Sequence, residues 1–208
     1  VPLSNWKTVP RATYQRIMRI GMMNAGEMLS YNLAQLTIIY FIVQMGTASL
    51  AAFTYAQNIA RISFAFALAI GQGSQIQTGY FIGRGLIDAI LIRVQKYFVV
   101  GFIVTNIVTI TIFLLSDNII PLFTDQAEIA ALTASLIAGS ILLEAGRVFN
   151  LIFISALKAA GDIKFPVKMG ILSMWGLGVV FSYLLGVHWG YGVFGAWMAI
   201  AMDEWFRG

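Results

Sequence analysis

The sequence predicts an all-α protein that crosses a membrane with six helices, and three observations lead to this prediction. First, 59% of the 208 residues are hydrophobic and only 11% are charged, about half the charged fraction of a typical soluble domain. Second, stretches of about 20 or more residues lack the polar positions that a water-facing element needs. Third, basic residues are concentrated in every second connection between these stretches. The mean hydropathy of +0.82 agrees with this class of protein.

The first three apolar runs are separated by polar or glycine-containing connections. The first run follows the basic start of the chain and stops at QMGTAS, the second stops near Arg84, and the third stops at SDNIIPLFTDQAE. The runs are continuously apolar, whereas barrel strands alternate in segments of about ten residues, so helices are favoured. We therefore predict spans at residues 17–44, 50–81 and 88–115.

The other three runs are bounded in the same way. The fourth begins after the acidic end of SDNIIPLFTDQAE, the fifth begins near Lys164, and the sixth follows the glycine-rich connection GVHWGYG. The longer runs would measure roughly 40–48 Å as helices, more than the hydrocarbon core of a bilayer, so they must tilt, kink or project from it. We predict spans at residues 127–156, 166–185 and 192–206.

Lysine and arginine residues alternate between the two sides of the predicted bundle. They lie before the first span, in the second and fourth connections and after the last span, while the other connections contain none. Because cytoplasmic connections are enriched in Lys and Arg, we expect both termini in the cytoplasm, residues 1–16 as a cytoplasmic linker, and a location in the plasma (inner) membrane. Lipid headgroups account for the net charge of +4, and nucleic acid is not expected as a partner.

Four charged side chains lie in the middle of the predicted spans, away from the ends: Glu27, Arg61, Glu144 and Arg147. Each costs about 2.5–3.5 kcal/mol near the bilayer centre, so we expect them to pair and to face the bundle interior or a wet cavity. Glu144 and Arg147 are three residues apart and share a helix face, which Asn150 continues. This polar stripe is either a structural ion pair or part of a binding site.

Glu27 has no basic residue within one helical turn. Its charge must therefore be balanced from another helix or by a mobile cation, which makes Glu27 the candidate residue for a proton or, as a metal ligand, for sodium. Arg61 is expected to serve as a structural counter-ion. Gln57 lies one turn before Arg61 on a span rich in amides, which indicates that this helix lines a hydrated space.

The sequence gives no support to an enzyme. It contains no cysteine, which excludes disulfides, cysteine zinc sites and thiol nucleophiles. The one histidine, His188, has no pattern of Ser, Cys or second His around it that would indicate catalysis. We expect no cofactor apart from a coupling ion.

Three stretches taken together resemble the second half of multidrug and toxic compound extrusion (MATE) transporters. They are GQGSQIQTGYFIGRG at residues 71–85, LKAAGDIKFP at residues 157–166 and GVFGAWMAIAMDEWFRG at residues 192–208. The resemblance extends over nearly all of residues 10–208. It implies that the six spans are helices seven to twelve, forming one lobe of a two-lobe transporter whose lobes rock about a central cleft.

The same resemblance implies an activity, the efflux of organic cations driven by inward flow of sodium ions or protons. Glu27 matches an acid of the seventh helix that recurs as a cation-site residue in such transporters. In the tenth helix Glu144 is the nearest acid, and Arg147 stands where some members have an aspartate. The candidate cation- and substrate-binding residues are Glu27, Gln57, Arg61, Glu144, Arg147 and Asn150.

Two other functions stay open. A lipid-linked oligosaccharide flippase of the same superfamily would need several cationic side chains along the cleft, where the sequence offers Arg61 and Arg147. The other is a structural membrane protein without transport. For a transporter, the expected partners are cationic small molecules, membrane lipids and a second lobe, supplied either by an N-terminal half or by a second copy.

Overall fold

The computed structural model describes residues 10–208, and all regular structure within them is helical, which confirms the all-α prediction. A 3₁₀ turn, Ile120–Leu122, follows a one-turn helix, Ser116–Ile119, and the helix that begins at Lys164 continues through two π-helical segments, Met174–Val179 and Ser182–His188. The helices are α1 (Arg11–Gln44), α2 (Thr47–Gly83), α3 (Ile87–Leu114), α4 (Ser116–Ile119), α5 (Ala127–Ala159), α6 (Lys164–Ser173) and α7 (Gly192–Arg207).

The helices cover the six predicted runs, with differences at their ends. Helix α1 begins at Arg11, so residues 11–16 of the predicted linker are helical; residues 1–9 lie outside the described part of the chain. Helix α5 continues past residue 156 and carries Lys158 in its last turn. A basic side chain is favourable at that end because the helix dipole is negative there.

Tight glycine turns connect successive helices. Gly46 lies between α1 and α2 with a φ of 106°, and Gly161 lies between α5 and α6 with a φ of 94°. Residues with a Cβ avoid this left-handed region, whereas glycine enters it freely. The chain can therefore end one helix and begin the next within a few residues.

Helix α5 is the central helix of the bundle and packs against α2, α3 and α7. Half of its most apolar segment is buried, compared with 22% of the corresponding segment of α3. The outer face of α3 exposes Leu91, Ile103 and Ile107. A peripheral helix with an apolar outer face is what a lipid environment favours.

Close packing fixes how α7 is rotated against α5. A Cβ on Gly146 would lie 2.5 Å from Cδ1 of Trp205, so only glycine admits the indole ring at this distance. The Nε1 of Trp205 donates a hydrogen bond of 2.8 Å to the carbonyl of Leu142. Phe53 of α2 meets Trp197 of α7 edge to face, with 5.4 Å between ring centroids. With α7 held in this rotation, Asp203 and Glu204 are buried.

By length and composition, three helices within the described residues can each cross a membrane: Ile87–Leu114, Ala127–Ala159 and Lys164–His188. Helices α1 and α2 are longer than α3 but carry more polar side chains, and α7 has 16 residues. Many of those polar side chains line a cleft within the bundle.

Candidate cation and substrate site

The cleft consists of two adjoining cavities of about 480 and 470 Å³. The first is lined by α1, α2, α5 and α7, and the second also reaches α6. They share four lining residues: Tyr31, Asn150, Leu151 and Arg207. Volumes of this size suit a small organic ligand.

Arg147 projects from α5 into the first cavity. Its Nη1 lies 2.5 Å from Oε1 of Glu144, and its Nε lies 3.3 Å from Oε1 of Glu204 on α7. The guanidinium carbon also stands 5.1 Å from the ring centroid of Phe64 on α2, a cation–π distance. Arg147 therefore links three helices.

The contacts continue through α7. Asn150 Nδ2 donates a hydrogen bond of 2.5 Å to Oε2 of Glu204, and Nη2 of Arg207 lies 2.5 Å from Oδ2 of Asp203 and 3.5 Å from Oε2 of Glu204. We call this network the α5–α7 charge cluster. Its members are Glu144, Arg147, Asn150, Asp203, Glu204 and Arg207.

The α5–α7 charge cluster combines three carboxyl groups with two guanidinium groups. Glu144 has no exposed surface, and its Oε2 has no hydrogen-bond partner in the described part of the chain. The same holds for Oδ1 of Asp203 and Nε of Arg207. Removing one partner from such a buried network is costly, because the charge left behind stays buried.

Glu27 lies in the second cavity and forms an ion pair across helices. Its Oε2 is 2.6 Å from Nζ of Lys158 on α5, and the two side chains are 21% and 22% exposed. Helix α6 approaches closely at Gly170, where a Cβ would lie 3.4 Å from Oε1 of Glu27. The carboxylate is thus held between α1, α5 and α6 and is still reachable from the cleft.

Uncharged side chains with oxygen atoms line the same cavity as Glu27. Within residues 10–208 no three His, Cys, Asp or Glu side chains converge on a metal position. The second cavity nevertheless collects uncharged oxygen donors beside the carboxylate, the type of ligand that hard cations prefer. These donors come from Asn24, Ser30, Gln72 and Gln75.

The structure brings most of the predicted site residues to the same cleft. Gln57, Arg61, Arg147 and Asn150 line the first cavity, and Glu27 lines the second. Glu144 lies behind Arg147 and does not line either cavity.

The structure does not show Arg61 as a counter-ion, in contrast to the prediction. In the described part of the chain no carboxylate oxygen lies within 4.0 Å of its guanidinium, whereas Glu27 pairs with Lys158 and Glu144 with Arg147. The reason is geometric. Arg61 is exposed on α2 and faces the cleft, so both acids find a basic partner on α5 instead.

Four charged residues at the cleft or in the α5–α7 charge cluster are not among the predicted site residues. Asp203 and Glu204 fall inside the predicted span 192–206, and Arg207 follows them at helical spacing, so a charge count of that span would have found them. Lys158 was expected in a cytoplasmic connection. Nothing in the sequence shows that Lys158 meets Glu27, because 131 residues separate them.

The sequence model of the MatE family matches residues 25–184. "Uncharacterized transporter YisQ" of Bacillus subtilis (strain 168) is 45% identical over 196 residues, covering 93% of this chain and 43% of that protein. "Multidrug resistance protein NorM" of Burkholderia vietnamiensis is 29% identical over 164 residues, covering 76% of this chain and 35% of that protein. The chain thus spans less than half the length of these relatives.

Solved structures have the same fold. A MATE transporter of Vibrio cholerae, a mutant of VcmN, superposes with a TM-score of 0.85 at 17% identity, covering 93% of this chain and 44% of that one. A MOP superfamily transporter from Pyrococcus furiosus Vc1 (DSM3638) gives 0.80 at 21% identity, covering 92% and 42%. The match of the family model to residues 25–184 and the similarity to YisQ show that this chain, a helical lobe of an integral membrane protein, belongs to the MATE transporter family.

Proposed function

We propose that the chain is the C-terminal lobe of an efflux transporter in the plasma (inner) membrane that exchanges organic cations for sodium ions or protons. The observation that carries this proposal is the pairing of Glu27. It is a carboxylate that the cleft can reach, and within residues 10–208 its one ionic partner is Lys158. The relatives called NorM are named for multidrug resistance, which agrees with efflux as the activity.

Glu27 differs from the other acids of the cleft in how it is held. Glu204 receives contacts from Arg147, Asn150 and Arg207, whose planar or amide groups fix it in one geometry. Lys158 offers Glu27 a compact ammonium on a flexible stem. A cation that enters the second cavity can therefore replace Lys158 at Glu27 with less rearrangement than any exchange at Glu204 requires.

The second cavity also suits the body of an organic cation. Besides the oxygen donors around Glu27, it is lined by apolar side chains, among them Met28, Leu68 and Met174. Methionine adapts its shape to different apolar ligands. A site with one carboxylate and adaptable apolar walls favours cations that vary in shape.

Transport requires that binding shifts the lobe between two conformations. The coupling ion and the organic cation compete for Glu27, and each must bind the inward- and outward-facing states with different affinity. A second lobe, either an N-terminal half or a second copy of the chain, completes the cleft. The lobe needs no enzymatic step and no cofactor besides the coupling ion.

Efflux from vesicles tests this function. The full-length transporter is reconstituted into liposomes loaded with the fluorescent cation ethidium, and a sodium or a proton gradient is imposed. We expect one of the two gradients to accelerate loss of ethidium relative to vesicles without protein. The same rate with and without gradients would overturn cation-coupled efflux, and the absence of any transport would favour a structural membrane protein.

A second candidate, the lipid-linked oligosaccharide flippase, has a specific observation in its favour. Four basic side chains line the cleft where two were expected: Arg61, Arg147, Lys158 and Arg207. Such groups suit a pyrophosphate. Three of them already contact carboxylates, so among the described lining residues Arg61 is the basic side chain without a carboxylate partner. This candidate would be favoured if the full-length transporter binds inorganic pyrophosphate tightly and does not transport ethidium. Arg61→Gln should then abolish the binding of pyrophosphate.

The proposed orientation can be tested by labelling, because the sequence contains no cysteine. Asp125 lies in the exposed connection before α5, and Asp162 lies in the exposed connection after it. With both termini in the cytoplasm, Asp125→Cys should react with a membrane-impermeant maleimide in intact cells. Asp162→Cys should react only after the membrane is opened. The reverse pattern would invert the topology.

A further inference from the structure

We propose that Lys158 is a tethered cation that occupies the Glu27 site in the ligand-free lobe, so that every transported or coupling cation must displace it. This inference rests on the proposed function and adds to it a residue that determines which cations are accepted. It assigns to Lys158 a role in setting the affinity threshold for cations, beyond that of a structural ion pair between helices.

The geometry of the pair places the ammonium where a ligand would bind. Nζ of Lys158 lies 2.6 Å from Oε2 of Glu27, and in the described residues it is the one hydrogen-bond donor to that carboxylate. Both groups line the second cavity and keep about a fifth of their side-chain surface exposed. A ligand approaching Glu27 through this cavity therefore meets the ammonium at the carboxylate.

Lys158 has no alternative acid within that cavity. Among the described lining residues, Glu27 is the sole carboxylate, α2 contributes the amides of Gln72 and Gln75, and the remaining titratable groups are Tyr31 and Arg207. Arg207 is itself held by Asp203 and Glu204. A displaced ammonium must return to amides and water, so displacement has a defined cost that each ligand has to overcome.

The consequence is a threshold for affinity. When a site is already occupied in part of the population, the observed affinity of a ligand falls by the fraction of sites that are free. Cations that bind Glu27 weakly are then rejected in favour of the lysine. Cations that add apolar contacts with the cavity wall exceed the threshold. The competitor lowers the affinity of all cations by the same factor, so that at a given concentration only the tighter-binding cations occupy the site, and the shape of the cavity decides which cations those are.

A binding experiment on the purified full-length protein tests this. The dissociation constant of tetraphenylphosphonium is measured by calorimetry for wild type, Lys158→Gln, Glu27→Gln and the double variant. We expect Lys158→Gln to bind about tenfold more tightly because the competitor is gone. Glu27→Gln should bind more weakly, and in that background Lys158→Gln should gain much less than tenfold, since no carboxylate is left to compete for and only the general effect of removing a positive charge remains.

The double variant distinguishes displacement of Lys158 from the general electrostatic effect of removing a positive charge. Removing any positive charge near a cavity favours cations, and that effect would persist without Glu27. Two further variants keep the test sharp. Lys158→Arg retains the charge and the pairing, so it should not gain affinity for the cation. Lys164→Gln removes a charge from an exposed position at the start of α6, outside the lining of the second cavity, and is the control for charge removal in general. If Lys158→Gln proves unstable by thermal melting, Lys158→Met provides the same comparison.

The possible failures are distinguishable. An equal dissociation constant in wild type and Lys158→Gln, or an equal gain in the Glu27→Gln background, would overturn the tethered cation while leaving the proposed function intact. Unchanged binding and unchanged efflux in Glu27→Gln would instead overturn the proposed function, and the inference with it.

Discussion

Glu27→Gln in the full-length transporter is expected to abolish gradient-driven efflux while the protein still inserts into the membrane. Glutamine has nearly the same shape but carries no charge, so it cannot hold a cation as the carboxylate does. Hydrogen bonds to charged groups contribute about 1.5–3 kcal/mol, so cation binding should weaken about 10–100-fold. Lys158 is about a fifth exposed and can be hydrated after the loss of its partner, so folding should be little affected.

The measurement is ethidium efflux from proteoliposomes, normalised to the amount of transporter. Glu128→Gln is the matched control, because it makes the same chemical change at an exposed position in the first turn of α5. We expect this control to transport like wild type. Unchanged efflux by Glu27→Gln under both sodium and proton gradients would remove Glu27 from the coupling mechanism.

Arg147→Met should cause the largest loss of stability. Arg147 contacts Glu144 and Glu204, and Glu144 has no exposed surface. Methionine can fill much of the space but leaves both carboxylates without this partner. Breaking a buried ion pair by removing one partner costs about 3–5 kcal/mol, because an uncompensated charge remains. The free energy of unfolding in detergent, followed with a denaturant, measures this loss.

Two comparisons show whether the loss comes from unpaired charge. Adding Glu144→Gln to Arg147→Met should restore part of the stability, since it removes one of the two stranded carboxylates. Arg93→Met, at an exposed position on α3 where the guanidinium carbon stands 5.6 Å from the ring centroid of Phe81, should change the free energy of unfolding by about 1 kcal/mol or less. If Arg147→Met is as stable as Arg93→Met, the α5–α7 charge cluster does not hold α5 and α7 together.

The cluster also explains how α7 is kept at the cleft although it is short. Gly146 of α5 admits the ring of Trp205, and Glu204 of α7 contacts both Arg147 and Asn150 of α5. Packing sets the distance between the helices, and the charges set their register. Both contributions are lost together only if the helices separate.

Membrane burial is strongly encoded in the local sequence, so the apolar helices were predictable. A continuous apolar run without turn residues has one favourable state in lipid, a helix, because every backbone group must be paired internally. The all-α fold and the family followed from such runs and from three motif stretches. The ion pair between Glu144 and Arg147 was also predictable, since a helix places residues three apart on one face.

The partners that α5 supplies to Glu27 and Glu204 were decided by tertiary structure alone. Lys158 is 131 residues from Glu27, and Arg147 and Asn150 are 57 and 54 residues from Glu204. Hydrophobic periodicity specifies that a helix forms, but its rotation and axial position depend on how side chains such as Trp205 and Trp197 fit their neighbours. A shift of one residue turns a side chain by about 100° around the helix axis. The sequence by itself therefore determined which helices form and which charges pair within one helix, and only the packing of the helices decided which charges meet across them.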